Sequence, residues 1–315
     1  MMVISPTPEQ QRYVHDNTTE KSPNWTFESG ACSDLYLDYW ISISSLLVAL
    51  VGLVGNSLVL WLLSFRIQRN PFSVYILNLA GADALFLCCS IVVSILQLSS
   101  SLNHPSQYLG LRYLRATSHC VGLSLLLGIS TERCLAVLFP MWFRSHRKRQ
   151  RSAAVCAVLW ALPALVWLAF FVQCVSQLSD HICNIILIIR LVWFIIVTCV
   201  LCLSSLTLLL RVQCSSQRQQ PPRLYLLVLL NVLVFLLCGL PLEIMDFIMR
   251  FWKICLSLWA PWLLACVNSS ANPFIYFFLG RQRHKRREAL SVVLERALED
   301  ELGDGTSDSP PNQQP

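Results

Sequence analysis

The chain has 315 residues, 55% of them hydrophobic and only 13% charged. A soluble domain carries about a quarter charged residues, so a soluble fold is excluded. The net charge of +6 is gathered in particular loops, the pattern of orientation in a bilayer and not of a nucleic-acid-binding face.

Residues 1–38 are polar, contain Pro, Ser and Thr, and lack the apolar core of a signal peptide. They read as a disordered extracellular tail. Asn-x-Thr sequons stand at Asn17 and Asn24, both glycosylation sites if the tail is outside. Seven apolar spans follow: Tyr39–Ser64, Phe72–Leu98, Tyr108–Phe139, Ser152–Cys174, Asn184–Arg211, Arg223–Arg250 and Ile254–Leu279. Each is long enough to cross about 30 Å of hydrocarbon as a helix, whereas barrel strands are short and alternating. The third is long enough to tilt strongly. Pro163 and Pro241 are expected to kink their helices, because each removes an intrahelical hydrogen bond.

Arg66 and Arg69 follow the first span, Arg144 to Arg151 the third, Arg211, Arg218 and Arg223 the fifth, and Arg281 to Arg287 the seventh. The alternate loops Leu98–Gln107 and Val175–Cys183 have no Lys or Arg. The excess of basic residues in cytoplasmic loops then places the N-terminus outside and the C-terminus in the cytosol of a multi-pass plasma-membrane protein. Past the last span, Ala289, Leu290, Val293, Leu294, Ala297 and Leu298 repeat at helical spacing opposite a charged face. The expectation is an amphipathic helix on the inner membrane surface over residues 280–300, then a disordered tail over 301–315. The predicted fold is an all-α membrane protein: a seven-transmembrane helix bundle over residues 39–279 with that C-terminal surface helix.

Of 14 cysteines, most lie inside apolar runs, where free Cys is a small buried hydrophobe. No CxxC pair combines zinc spacing with a loop context, so neither a metal nor a cofactor is expected. No set of charges has the arrangement of a nucleophile and base, so no enzymatic activity is expected.

Polar groups inside spans are functional candidates by default. Asn56, Asp83, Asn268 and Asn272 fall in spans one, two and seven, and predict a polar cluster between them. Such a cluster suits a water- or ion-filled hinge between two packings, and equally plain hydrogen bonding between helices. Glu132-Arg133 ends span three. Towards the predicted outer side, Arg112, Arg115, His119, Arg190, Glu243 and Asp246, with Phe170, Trp193 and Phe247 as walls, form the candidate ligand pocket. Glu243 and Asp246 stand one turn apart, and either contact a ligand or pair internally with Arg115 and Arg190. A seven-helix transporter would need a continuous polar path, of which the Asp83 cluster supplies only part, and no internal repeat is present.

In order along the chain stand "GN" in span one, "NLAGAD" in span two, "ER" ending span three, Trp160 in span four, "CGLP" in span six and "NPFIY" in span seven. Together they resemble the rhodopsin-like G-protein-coupled receptors. The wording of "RNPFSVYILNLAGAD", "VGLSLLLGISTERCLAVLFPMWFRSHR", "SSLTLLLR", "VFLLCGLP" and "NSSANPFIYFFLG" is similar to that of the Mas-related branch, over Gly52 to Leu298. The resemblance implies a receptor in which an extracellular peptide or small-molecule agonist rearranges the bundle. Span six then swings outward at its cytosolic end, and a heterotrimeric G protein (Gq or Gi) docks. It further implies sensory (itch or pain) or immune signalling, with arrestin, receptor kinases and membrane lipid as further partners, and no nucleic acid. The alternative within the same family is a non-signalling homologue that acts by pairing with another receptor. Arg133 matches the family's G-protein-contacting arginine. Asp83, Asn272 and Tyr276 match positions that rearrange on activation, with Pro273 between the last two.

The chain also departs from the rhodopsin-like pattern. Gly239 replaces the usual span-six tryptophan. Gly122 stands where a serine serves a sodium site. Pro221-Pro222 stands where an acidic partner for the arginine often sits, so Glu132 is left as the restraint on Arg133 and elevated basal signalling is expected. Tyr108 replaces the usual span-three cysteine, and the resemblance implies a Cys174–Cys183 bridge instead. A second bridge between Cys32 and Cys255 is a further candidate. The acidic residues that bind cationic ligands in some Mas-related receptors correspond to Phe170 and about Leu187, both apolar.

Overall fold

The structure is a computed structural model that describes residues 35–65, 71–99, 108–139, 141, 149–172, 180–214, 223–252 and 259–281. Asn17, Asn24, Cys32, Cys174, Cys255, Pro221, Pro222 and the expected surface helix beyond Arg281 lie outside the described residues. We number the helices α1 (Leu35–Phe65), α2 (Pro71–Leu98), α3 (Leu109–Leu138), α4 (Arg149–Phe170), α5 (Asp180–Cys214), α6 (Arg223 to Trp252) and α7 (Trp259–Arg281). The seven predicted spans are all present as helices, and among the described residues no strand occurs.

Local chemistry sets the boundaries. Asp38 lies in the first turn of α1, where a carboxylate complements the helix dipole, and the helix starts before the predicted Tyr39. Phe139 ends α3 with φ −132° and ψ 62°, outside the α region that a following proline disfavours, and its N–H still donates to the Leu135 carbonyl at 2.9 Å. Pro261 sits in the first turn of α7, where its missing N–H has no intrahelical partner to lose.

Helix α6 is not a plain kinked helix. It runs as an α-helical piece Arg223–Val234, a π-helical turn Phe235–Gly239, and a second α-helical piece Leu240–Trp252. The Leu240 N–H reaches back to the Phe235 carbonyl. The irregularity expected at Pro241 is therefore met by widening the turn just before it, a device that recurs at functional sites.

The main core is built on α2, α3 and the later half of α1, from Val59, Leu63, Phe72, Tyr75, Ile76, Leu79, Leu125 and Ile129, closed by Leu201, Phe235 and Tyr276. A smaller core joins Ala49, Phe86, Leu87, Leu242, Ala265 and Cys266. Large apolar side chains on the other faces, such as Val54, Leu165, Leu203 and Leu237, are exposed, which is the surface a bilayer covers. Among the described residues five segments are long and apolar enough to cross a membrane: Tyr36–Phe65, Phe72–Leu98, Gln150–Phe170, His181–Thr207 and Leu229–Met249. Helix α3 carries Arg112, Arg115, His119, Glu132 and Arg133, of which Arg115, His119 and Arg133 are buried, Glu132 is half-buried and Arg112 is exposed. Where α1 and α7 cross, a Cβ on Gly52 would overlap the Ser270 hydroxyl, so the two backbones meet at a distance only glycine permits.

Candidate functional site

We call the end of the bundle at which α1, α3, α5 and α7 begin the leading end, and the opposite one the trailing end. At the leading end Arg190 of α5 is the hub. Its Nη2 donates to Asp246 Oδ2 at 3.2 Å and lies 3.9 Å from Glu243 Oε2, so one guanidinium faces two carboxylates of α6. The guanidinium carbon also stands 3.9 Å from the Trp167 ring centroid and 5.1 Å from that of Phe170. All three charged side chains are largely buried. Buried charges demand such compensation, because each removed from water carries a penalty of several kcal/mol.

Glu243 reaches α3 as well, with Oε1 3.7 Å from His119 Nε2 and 3.9 Å from Cys120 Sγ. Trp167 donates its indole N–H to Cys120 Sγ at 3.0 Å. Between these groups lies a cavity of about 180 Å³, lined from α3, α4, α5 and α6 by Leu123, Pro163, Val166, Trp193, Phe194 and Val197 among others. Its remaining wall includes Leu162 and Ile189, both exposed on the outer faces of α4 and α5.

The expected internal pairing of Glu243 and Asp246 is present, but with Arg190 and His119 and not with Arg115. Arg115 lies apart, its guanidinium carbon 3.7 Å from the Trp262 ring centroid of α7. Arg112 is exposed one turn earlier on α3, and Phe247 is half-buried on α6. Trp167 was not singled out by the sequence. Its signal was present: it precedes Phe170 and Phe171 by three and four positions, which puts three aromatic rings on one helix face, and they pack at centroid distances of 5.4–6.1 Å.

In mid-bundle part of the predicted polar cluster is joined. Asn272 donates to Asp83 Oδ2 at 2.6 Å, tying α7 to α2. Asn56 donates to the Gly52 carbonyl at 3.0 Å and to the Ser269 carbonyl at 3.1 Å, tying α1 to α7. Asn268 is buried and lies against α6, where a Cβ on Gly239 would stand 3.6 Å from its Cγ. Gly122 faces Asp83: a Cβ there would sit 3.4 Å from Oδ1. Tyr276 is buried one turn after Asn272 on α7, with Pro273 between them.

At the trailing end the expected pairing of Glu132 with Arg133 does not occur. Consecutive helix residues point about 100° apart and do not face each other. Glu132 Oε1 instead accepts a hydrogen bond from the Tyr75 hydroxyl at 2.8 Å, and the Arg133 guanidinium carbon lies 3.5 Å from the Phe72 ring centroid. Both partners come from α2. Nearby, Trp160 donates to Asn78 Oδ1 at 3.1 Å, and Ser130 hydrogen-bonds Ser204, joining α3 to α5.

Cys183 is disulfide-bonded, and its partner lies outside the described residues, where Cys174 also falls. Cys88, Cys89, Cys120, Cys134, Cys156, Cys199, Cys202, Cys238 and Cys266 are free. Among the described residues no group of three His, Cys, Asp or Glu side chains has the closeness a metal ion needs.

Residues 55–276 match the profile of the 7 transmembrane receptor (rhodopsin family). The chain is 46% identical over 271 residues to Mas-related G-protein coupled receptor member X2 of Hoolock hoolock, and 46% over 272 residues to that of Homo sapiens. The member X2 of Gorilla gorilla gorilla is 45% identical over 271 residues. Each alignment covers 81% of this chain and 82% of the relative.

Proposed function

Because this chain belongs to the Mas-related G-protein-coupled receptors, a membrane receptor class that transduces signals and not an enzyme class, we propose that its leading end is the agonist side and its trailing end the G-protein side. The basic loops Arg144–Arg151 and Arg281–Arg287 support this orientation, with the trailing end in the cytosol and the protein in the plasma membrane.

The observation that carries the scheme is the Arg190 link to Asp246 and Glu243. It spans α5 and α6 above the π-helical turn, on the segment of α6 that must move relative to the rest. An agonist that enters the Trp167–Trp193 cavity and competes for Arg190 or for either carboxylate changes the relative energy of two α6 positions. A ligand shifts an equilibrium only by such a differential interaction. The π turn and Pro241 supply the hinge. Movement of α6 at the trailing end opens a cleft beside Arg133, which leaves the Phe72 face and contacts a heterotrimeric G protein. Asp83, Asn272, Pro273 and Tyr276 repack as α7 follows. The G protein is of the Gq or Gi class and the agonist a peptide or small molecule. The signalling context is sensory (itch or pain) or immune, and arrestin and receptor kinases act on the same trailing end. The disulfide of Cys183 pairs with Cys174 and caps the α4–α5 connection.

A calcium and cAMP screen against peptides and small amines, in cells expressing the chain, tests the scheme. An agonist response is expected for the wild type and its loss for Arg133→Ala at equal surface expression. A response that survives Arg133→Ala removes the assigned role of that residue.

A further inference from the structure

Arg115 is only 8% exposed, yet no described carboxylate lies within ion-pair distance of it, since Glu243 and Asp246 are engaged by Arg190 and His119. The titratable groups whose fields reach it are Cys266, Arg112 and Cys89: two thiols and a second cation. Its Nε is buried without a hydrogen-bond partner. What it has is the face of Trp262, 3.7 Å from the guanidinium carbon. A desolvated cation–π contact contributes about 2 kcal/mol, against a desolvation penalty of several kcal/mol for a buried charge. The balance is a cation held ready for an anion.

The surroundings specify the anion's carrier. Trp262 stacks on Phe86 at a centroid distance of 6.0 Å, and His119 lies 5.3 Å from Phe86 and 6.3 Å from Trp262. These rings come from α7, α2 and α3; Phe86 and His119 are buried, and half-buried Trp262 is the one left partly open beside the guanidinium. A planar guanidinium presents paired N–H donors that match a carboxylate in bidentate fashion, which a compact ammonium does not. The cluster adjoins the Arg190 cavity through His119, 3.7 Å from Glu243, but Arg115, Phe86 and Trp262 do not line that cavity.

We propose that Arg115 anchors the carboxylate of a ligand whose apolar part rests on Trp262, the partly exposed ring that packs on Phe86 and His119. The ligand class is a monocarboxylate next to an aromatic or aliphatic body, such as an amino-acid-derived acid or a peptide C-terminus. The proposal rests on the leading end being the ligand side, but binding alone tests it, so it stands or falls independently of G-protein signalling.

The test is a thermal-shift titration of the purified full-length receptor in lipid nanodiscs with 3-phenylpropionate, and with its neutral amide as control. The wild type is expected to be stabilised by the carboxylate and not by the amide. Arg115→Gln is expected to lose the shift, and Arg151→Gln, exposed at the trailing end, to keep it. Arg115→Lys, which retains charge but not the paired donors, is expected to weaken the midpoint about tenfold, the loss of one good hydrogen bond to a charged group. It also keeps the test decisive if the glutamine variant does not fold. Equal shifts with acid and amide, no shift with the acid up to millimolar concentration, or an Arg115→Lys titration identical to wild type overturns the proposal.

Discussion

Arg190 donates to Asp246 across 3.2 Å, from the early part of α5 to the later part of α6, with Glu243 one turn away on the same guanidinium. This pair fastens the two helices whose separation the receptor scheme requires. Breaking a buried pair from one side leaves an uncompensated charge, which costs about 3–5 kcal/mol. Arg190→Gln is therefore expected to lower thermal stability and surface expression sharply. Combining it with Asp246→Asn should recover part of the loss. A double variant no more stable than Arg190→Gln alone would show that the pair is not the source of the effect.

Asp83 and Asn272 form the short contact of the mid-bundle cluster, at 2.6 Å. Removing the amide in Asn272→Ala deletes a hydrogen bond to an ionisable group, worth about 1.5–3 kcal/mol. The expected outcome is a receptor that reaches the surface but whose maximal agonist response falls, because α7 no longer has a defined partner to release. An unchanged dose–response curve at equal expression would reduce the cluster to packing.

Gly122 leaves the space beside Asp83 without a hydroxyl, since a Cβ there would be only 3.4 Å from Oδ1. Agonist potency in the wild type is expected not to change when sodium is exchanged for a large organic cation. Gly122→Ser adds the missing oxygen and is expected to introduce a sodium dependence of about fivefold, the low end of an allosteric coupling. A wild type already sensitive to sodium would contradict the role given to Gly122.

Gly52 and Ser270 show where α1 and α7 tolerate no added atom. Gly52→Ala forces the helices apart or displaces Ser270, which also donates to the Val48 carbonyl at 3.2 Å. Overpacking of this kind costs about 1–3 kcal/mol. Gly81→Ala, with nothing within 4 Å of its added Cβ, is expected to be neutral in the same thermal unfolding measurement.

The spans were legible because a bilayer demands about twenty apolar residues per helix, a signal strong enough to set all seven helices and miss their ends by only a few residues. The mid-bundle cluster was legible for the related reason that buried polar groups seek each other. Asp83 and Asn272 had few other partners to find. Pairing by adjacency failed at Glu132-Arg133, because sequence neighbours on a helix point apart, and the true partners, Tyr75 and Phe72, are more than fifty positions away. The π turn of α6 was not legible either. Proline announces a lost hydrogen bond but not whether the helix bends or widens to absorb it. Arg115 and Arg190 looked interchangeable along the chain, and only the packing of α5 on α6 assigns the two carboxylates to Arg190.

A ligand bound at the leading end is expected to drive nucleotide exchange on a G protein docked at Arg133. Purified receptor in nanodiscs, mixed with heterotrimeric Gq or Gi and a fluorescent GTP analogue, measures this directly. The account predicts exchange above that of empty nanodiscs, raised further by agonist and abolished by Arg133→Ala. Basal exchange is expected to be appreciable even without agonist, because Pro221-Pro222 stands where an acidic partner for the arginine often sits in the rhodopsin-like pattern. A folded receptor that accelerates neither G protein with any ligand that binds it, or one that does so equally as Arg133→Ala, contradicts the account.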